Sequence, residues 1–133
     1  MEIKHLFPVM TYDIDFAGVL SNITYTRWLE DLRHLFAAQV LPLGKAFENG
    51  ITPALSRTEI DYLVPVRFSD QVQGTMWLEE RGRARLVLGA LFTSPATGGI
   101  TARAKQRGVF VSLTTLRPVA LPVEFQKLEL ISK

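Results

Sequence analysis

The chain has 133 residues, 47% hydrophobic and 21% charged, and its 15 basic and 13 acidic residues sum to +2. That length and balance imply one globular domain with a sizeable core, and no bulk basic surplus of the kind that nucleic-acid partners select. There is no cysteine and the histidines are His5 and His34 alone, which excludes disulfides, thiolate nucleophiles and Cys/His-rich metal centres.

Residues 3–12 read as a first strand, with Pro8 marking an edge or a bulge. A loop over residues 13–21 follows. Tyr25, Trp28, Leu29, Leu32, Leu35, Phe36 and Val40 then recur with the spacing of one buried helical face. Ser21 or Asn22 is the N-cap, and Pro42 and Gly44 close the far end. A short extra turn fits within 43–50. From about residue 54 the period becomes two. Leu55–Val64 alternates up to Pro65, and Gln71–Glu80 alternates with Val72, Gly74, Met76 and Leu78 on one side. Arg81-Gly82-Arg83 signals a hairpin. Arg85–Thr93 is continuously apolar, as for a strand buried on both faces, and Pro95–Gly99 is a further turn. Ala102–Leu113 is the last long strand, and Arg117-Pro118 with Leu121-Pro122 ends regular structure. One strand, one long helix and four more strands make an α+β pattern, an antiparallel sheet with the helix packed on a face. Its edge strands need cover, which dimerisation supplies. No run approaches the roughly 18 apolar residues of a membrane span. The N-terminal MEIKHLFPVM lacks the apolar core of a signal peptide, so the expected location is cytoplasmic, with no membrane partner.

The chemistry concentrates in residues 12–30. Asp15 stands three residues before Gly18, and Ser21-Asn22 opens the amphipathic helix. A carboxylate facing a helix N-terminus suits acyl chemistry. The carboxylate activates water or attacks a carbonyl, and the free N–H groups hold the developing oxyanion. The plain alternative for Asp15 is a turn or capping residue. Asp13 reads as a turn or solvent residue. Trp28 and Phe36 belong to the core. Tyr25 also fits the core, although one turn past the cap it is within reach of a substrate. His34 falls on the polar helix face, and Glu30 and Arg33 can pair there.

Three blocks carry a resemblance. The first is Asp15-Phe16-Ala17-Gly18-Val19-Leu20-Ser21-Asn22, then Tyr25, Trp28-Leu29-Glu30 and Arg33. The second is Ile60-Asp61-Tyr62 with Pro65 and Asp70, and the third is Arg117-Pro118 with Leu121-Pro122. In this order the chain resembles, over nearly its whole length, the hotdog-fold acyl-CoA thioesterases of the 4-hydroxybenzoyl-CoA thioesterase superfamily. The resemblance implies a curved antiparallel sheet wrapped around one central helix, homodimers often paired into tetramers, and active sites at the dimer interface. It implies hydrolysis of an acyl thioester without a metal or separate cofactor, coenzyme A being part of the substrate. Asp15 is then the nucleophile or general base, and the backbone N–H at Asn22 polarises the thioester carbonyl. Gly18, Val19, Ser21 and Tyr25 fall to substrate contact. Many relatives have His or Tyr in the run after the glycine, where this chain has Val19-Leu20-Ser21-Asn22. Any role for an imidazole there is lost, a subfamily difference. Phe16, bulky beside Asp15, narrows or reshapes the acyl pocket.

Within that frame Arg103 and Lys105, with Arg107, are either a solvated strand face or a cradle for the phosphates of coenzyme A. Arg81, Arg83 and Arg85 are a weaker candidate for the same role. Ser56 and Thr58 are candidate pocket residues. An acyl carrier protein thioester is the alternative substrate, since an acidic carrier suits surface arginines. A non-catalytic acyl-thioester binder is a further alternative. A dehydratase is disfavoured because neither His34 nor His5 falls near the helix start.

Overall fold

In a computed structural model describing residues 1–133, β1 (Glu2–Pro8) is one edge of an antiparallel sheet. It is shorter than its apolar pattern suggests. Pro8 has no N–H to continue the ladder, and the Asp13 carboxylate takes the Met10 N–H at 2.9 Å. The backbone turns there into a short 3-10 segment at Thr11–Asp13. After a loop comes α1 (Asn22–Val40), then α2 (Leu43–Glu48) where a single turn is expected. β2 (Ile51–Tyr62), β3 (Gln71–Arg81), β4 (Arg85–Thr93) and β5 (Ile100–Ser112) follow. The sheet order is β1-β3-β4-β5-β2, so β2 is the second edge. It begins four residues before the alternation becomes legible and includes Pro53, which an edge strand tolerates. No helix is long and apolar enough to cross a membrane.

α1 lies on the concave face of this sheet. Leu29 and Leu32 are wholly buried, and Tyr25, Trp28 and Phe36 nearly so. Their partners are alternate residues of the strands: Val72, Met76 and Leu78 of β3, Leu86, Leu88, Ala90 and Phe92 of β4, and Ala102, Ala104 and Phe110 of β5. Leu35, expected on the buried face, sits at its margin and is exposed. Phe7, Trp28, Tyr25 and Phe92 form an aromatic cluster. Phe7 stacks on Trp28 at 4.6 Å, and Tyr25 meets Phe92 edge-on at 4.9 Å.

The C-terminus departs from expectation. Regular structure continues past Arg117 through β6 (Pro118–Val119), paired with β5, and α3 (Val123–Gln126). Leu121 and Phe125 are buried, and Phe125 packs on Phe110 at 5.1 Å. Prolines at 118 and 122 thus open short elements rather than end the fold, since a proline suits the first position of a strand or the cap of a helix. Beyond α3 the Ile131 N–H donates to the Leu78 carbonyl at 2.9 Å, Lys133 pairs with Glu2, and the Lys133 ammonium lies 5.5 Å over the Trp77 ring. The tail therefore covers part of the outer face. At Gly89, on β4 beneath that indole, a Cβ would stand 2.6 Å from the ring. Burial of β4 on both faces follows.

Candidate active site

The loop that joins the 3-10 turn to α1 is a small hairpin. Ile14 bridges Leu20, the Asp15 N–H donates to the Val19 carbonyl at 2.9 Å, and the Gly18 N–H returns to the Asp15 carbonyl at 3.0 Å. Gly18 has φ +76, a left-handed conformation that glycine adopts without strain, with open space where a side chain would be. The Asp15 side chain accepts the Ala17 N–H at 2.8 Å through Oδ1, an Asx turn that aims the carboxylate, and the residue is exposed. Phe16 at the tip is fully exposed.

The hairpin is fastened on two sides. The Leu20 N–H donates to the Val66 carbonyl at 2.7 Å, and Val19, half-buried, bridges Arg67. The Arg67 backbone is held in turn by the Asp70 carboxylate at 2.9 Å. On the other side stands Asp13, which is 4% exposed and not the solvent residue its position suggests. Its Oδ2 accepts the Met10 N–H, its Oδ1 faces the Arg27 guanidinium at 3.4 Å, and its carbonyl accepts the Ser21 N–H and the Thr24 hydroxyl. One buried aspartate thus joins the segment after β1 to α1 through its carboxylate, and the end of the hairpin to the first turn of α1 through its carbonyl. The spacing of Asp13, Thr24 and Arg27 carried no signal, because they meet only when the hairpin closes. Asp13→Ala leaves the Met10 N–H and the Arg27 charge without their partner. We expect a stability loss of about 1–3 kcal/mol, together with reduced activity because Asp15 loses its anchor. Parallel denaturation and rate measurements on the variant check this.

At the helix start the cap is Ser21, whose Oγ accepts the Ile23 N–H at 3.2 Å. Asn22 is the first helical residue, exposed, with its own N–H outside the intrahelical ladder. The two substitutions should therefore separate. Ser21→Ala should cost about 1 kcal/mol and Asn22→Ala less than about half of that, as urea denaturation would show. Equal costs would contradict this assignment.

Tyr25 resolves to the core. It is 3% exposed, its hydroxyl donates to Thr101 Oγ1 at 3.0 Å, and burial raises its pKa above the ordinary tyrosine value. It supports the helix start from below and presents no surface to a substrate.

The remaining candidates are not gathered at this hairpin. Ser56 lies at an irregularity in β2 and donates to the Arg107 carbonyl at 3.3 Å. Thr58 accepts from Gln106. Arg103 and Lys105 lie with Arg107 on the face of β5 away from α1, because Ala102, Ala104, Gln106 and Phe110 take the helix side. Lys105 contacts Glu79 at 2.9 Å, and that hydrogen bond raises its pKa, while Arg103 stands across from Asp61. This face carries interleaved charges of both signs rather than a free cationic cradle. No group of three or more Asp, Glu or His side chains stands together as a metal site would require.

A family model described as the thioesterase-like superfamily matches residues 9–128. Solved structures share the fold. A 1,4-dihydroxy-2-naphthoyl-CoA thioesterase from Synechocystis is 18% identical with a TM-score of 0.85, over 95% of this chain and 93% of that one. A Staphylococcus aureus protein solved in complex with CoA is 19% identical with a TM-score of 0.88, over 95% and 80%. A 12:0-ACP thioesterase from Umbellularia californica is 17% identical with a TM-score of 0.83, over 94% of this chain and 51% of that longer one. No curated protein sequence matches the chain.

Proposed function

The chain belongs to the thioesterase-like superfamily, and from that premise we propose that it hydrolyses acyl thioesters of coenzyme A to free acid and thiol. The observation that carries the reading is Asp15, an exposed carboxylate fixed by its own Asx turn in the hairpin that leads into α1. In the base form of the mechanism, Asp15 takes a proton from water while the water oxygen bonds to the thioester carbon. The carbonyl electrons move to oxygen, where the Asn22 N–H and the positive end of α1 stabilise them. Collapse expels the thiolate, which takes up the proton, and Asp15 is regenerated. In the nucleophilic form the carboxylate attacks the thioester carbon and the C–S bond breaks to release the thiolate; water then cleaves the mixed anhydride to the free acid and Asp15, and the remaining water proton goes to the thiolate. Gly18, Val19 and Ser21 shape the backbone on which the thioester lies in either form.

Fold likeness to CoA thioesterases supports the coenzyme A substrate, and likeness to a 12:0-ACP thioesterase keeps a carrier-protein thioester as the second reading. The β2 edge supports a homodimer, or a pair of dimers. It is 12 residues long, is paired on one side only, and exposes Leu55. Thiol release from short-, medium- and long-chain and aromatic acyl-CoAs, with the mass in solution measured on the same sample, tests the proposal. Release from acyl-CoA supports the first reading. Release only from acyl carrier protein, weakening with salt, would favour the second. A folded protein inactive on both would overturn them, and a monomeric mass would overturn the β2 contact.

A further inference from the structure

β5 carries one residue too many opposite the end of β4. Phe92 pairs with Ala102 and Thr93 with Ile100, so Thr101 stands between them as a bulge. Thr101 and Ala102 are both buried in consequence, whereas the strand beyond them alternates through to Gly108. A bulge re-aims the groups it carries. The Thr101 hydroxyl turns inward, where it accepts the Tyr25 O–H at 3.0 Å and donates to the Phe92 carbonyl at 3.3 Å. The Thr101 carbonyl accepts two N–H groups, that of Leu63 at 2.9 Å and that of Val64 at 3.2 Å. These two residues follow Tyr62, the last of β2, which pairs with Ala102.

Each of these bonds leads to one half of the site. Tyr25 lies in the first turn of α1, three residues past Asn22. Residues 63–67 run from the Thr101 carbonyl to the hairpin. There the Val66 carbonyl takes the Leu20 N–H, and Arg67 bridges Val19, whose own carbonyl takes the Asp15 N–H. The Asp15 carboxylate and the Asn22 N–H are thus both referred to a single residue of β5, by two separate routes.

Packing does not require the two hydroxyls. The Tyr25 ring meets Trp28, Tyr62 and Phe92, and a phenylalanine would keep those contacts. A valine would match the volume of Thr101. Replacing both members of a buried neutral hydrogen bond by apolar groups of the same shape is nearly neutral in stability. Such a replacement loses distance and angle instead. Contacts between rings tolerate a small slide of the helix, whereas a hydrogen bond weakens steeply as its geometry departs from linear.

We propose that Thr101 is a positioning residue: through Tyr25 on one side and residues 63–67 on the other, it sets the separation of Asp15 from the Asn22 N–H between which the thioester is held. The effect on rate rests on the thioesterase reading above; the tie itself does not. Tyr25→Phe, Thr101→Val, their double variant and Thr101→Ser test it on an acyl-CoA that wild type hydrolyses. In each of the two single variants that lose the bond, kcat should fall about tenfold while KM stays within about twofold. The double variant leaves no unpaired tyrosine hydroxyl, so it should be more stable to urea than Thr101→Val yet no faster. Thr101→Ser keeps the hydroxyl and should keep most of the rate. Wild-type kcat in Tyr25→Phe, or a double variant whose rate recovers with its stability, overturns the proposal. Amide hydrogen exchange reads the tie without turnover. In Tyr25→Phe the Leu20, Leu63 and Val64 amides should exchange about tenfold faster, with the middle of β3 and β4 unchanged. Acceleration confined to α1 overturns the proposal. Coupled exchange in a protein that hydrolyses no thioester supports the tie and overturns the hydrolase reading alone.

Discussion

Asp15→Asn should reduce thioester hydrolysis by about 10²–10⁴-fold, the range that a positioned proton acceptor contributes, and leave the fold unchanged. The structural half of that expectation comes from the Asx turn. Asparagine keeps the Oδ1 that receives the Ala17 N–H, and the residue is exposed, so neither packing nor loop geometry changes. What disappears is the basicity and nucleophilicity of the carboxylate. Thiol release by wild type and variant on the same acyl-CoA, with circular dichroism and a urea melt on both, separates chemistry from folding. A folded variant with wild-type turnover would remove Asp15 from the mechanism.

Phe92→Ala should have the largest effect on stability, about 3–5 kcal/mol. Phe92 is wholly buried, meets Tyr25 at 4.9 Å and Trp28 at 6.2 Å, and faces Phe7 across β3. Truncation opens a cavity beneath the first turns of α1, where rigid rings collapse poorly. For a chain of this length the loss corresponds to a fall in Tm of about 10–20 °C, a large share of the 5–15 kcal/mol typical of a domain. Thermal and denaturant unfolding would show it. A cost below about 1 kcal/mol would mean that the aromatic cluster does not clamp the helix to the sheet.

The contrast between these two residues marks what the chain alone made legible. The α+β order, the extent of α1, the hairpin at Arg81–Arg83 and the apolar burial of β4 are local patterns. Periods of 3.6 and 2, glycine and proline punctuation and the Asp15–Gly18 spacing are written in consecutive residues. So was the candidate site, because its carboxylate, turn glycine and helix cap lie within eight residues of one another.

Tertiary structure decided the rest. Asp13 looked like its neighbour Asp15, and only closure of the hairpin against β1 and α1 buries one and exposes the other. Ser21 and Asn22 are equal candidates for the cap until the backbone shows which of them precedes the first helical residue. Arg103 and Lys105 alternate as a phosphate cradle would, yet the pleat of β5 places them across the sheet from α1, where Lys105 meets Glu79. Arg33, Gln106 and Thr58 come from three elements far apart in the chain. Their meeting depends on strand register and on the azimuth of α1. Both are set by the summed packing of the core, which no local stretch of sequence contains.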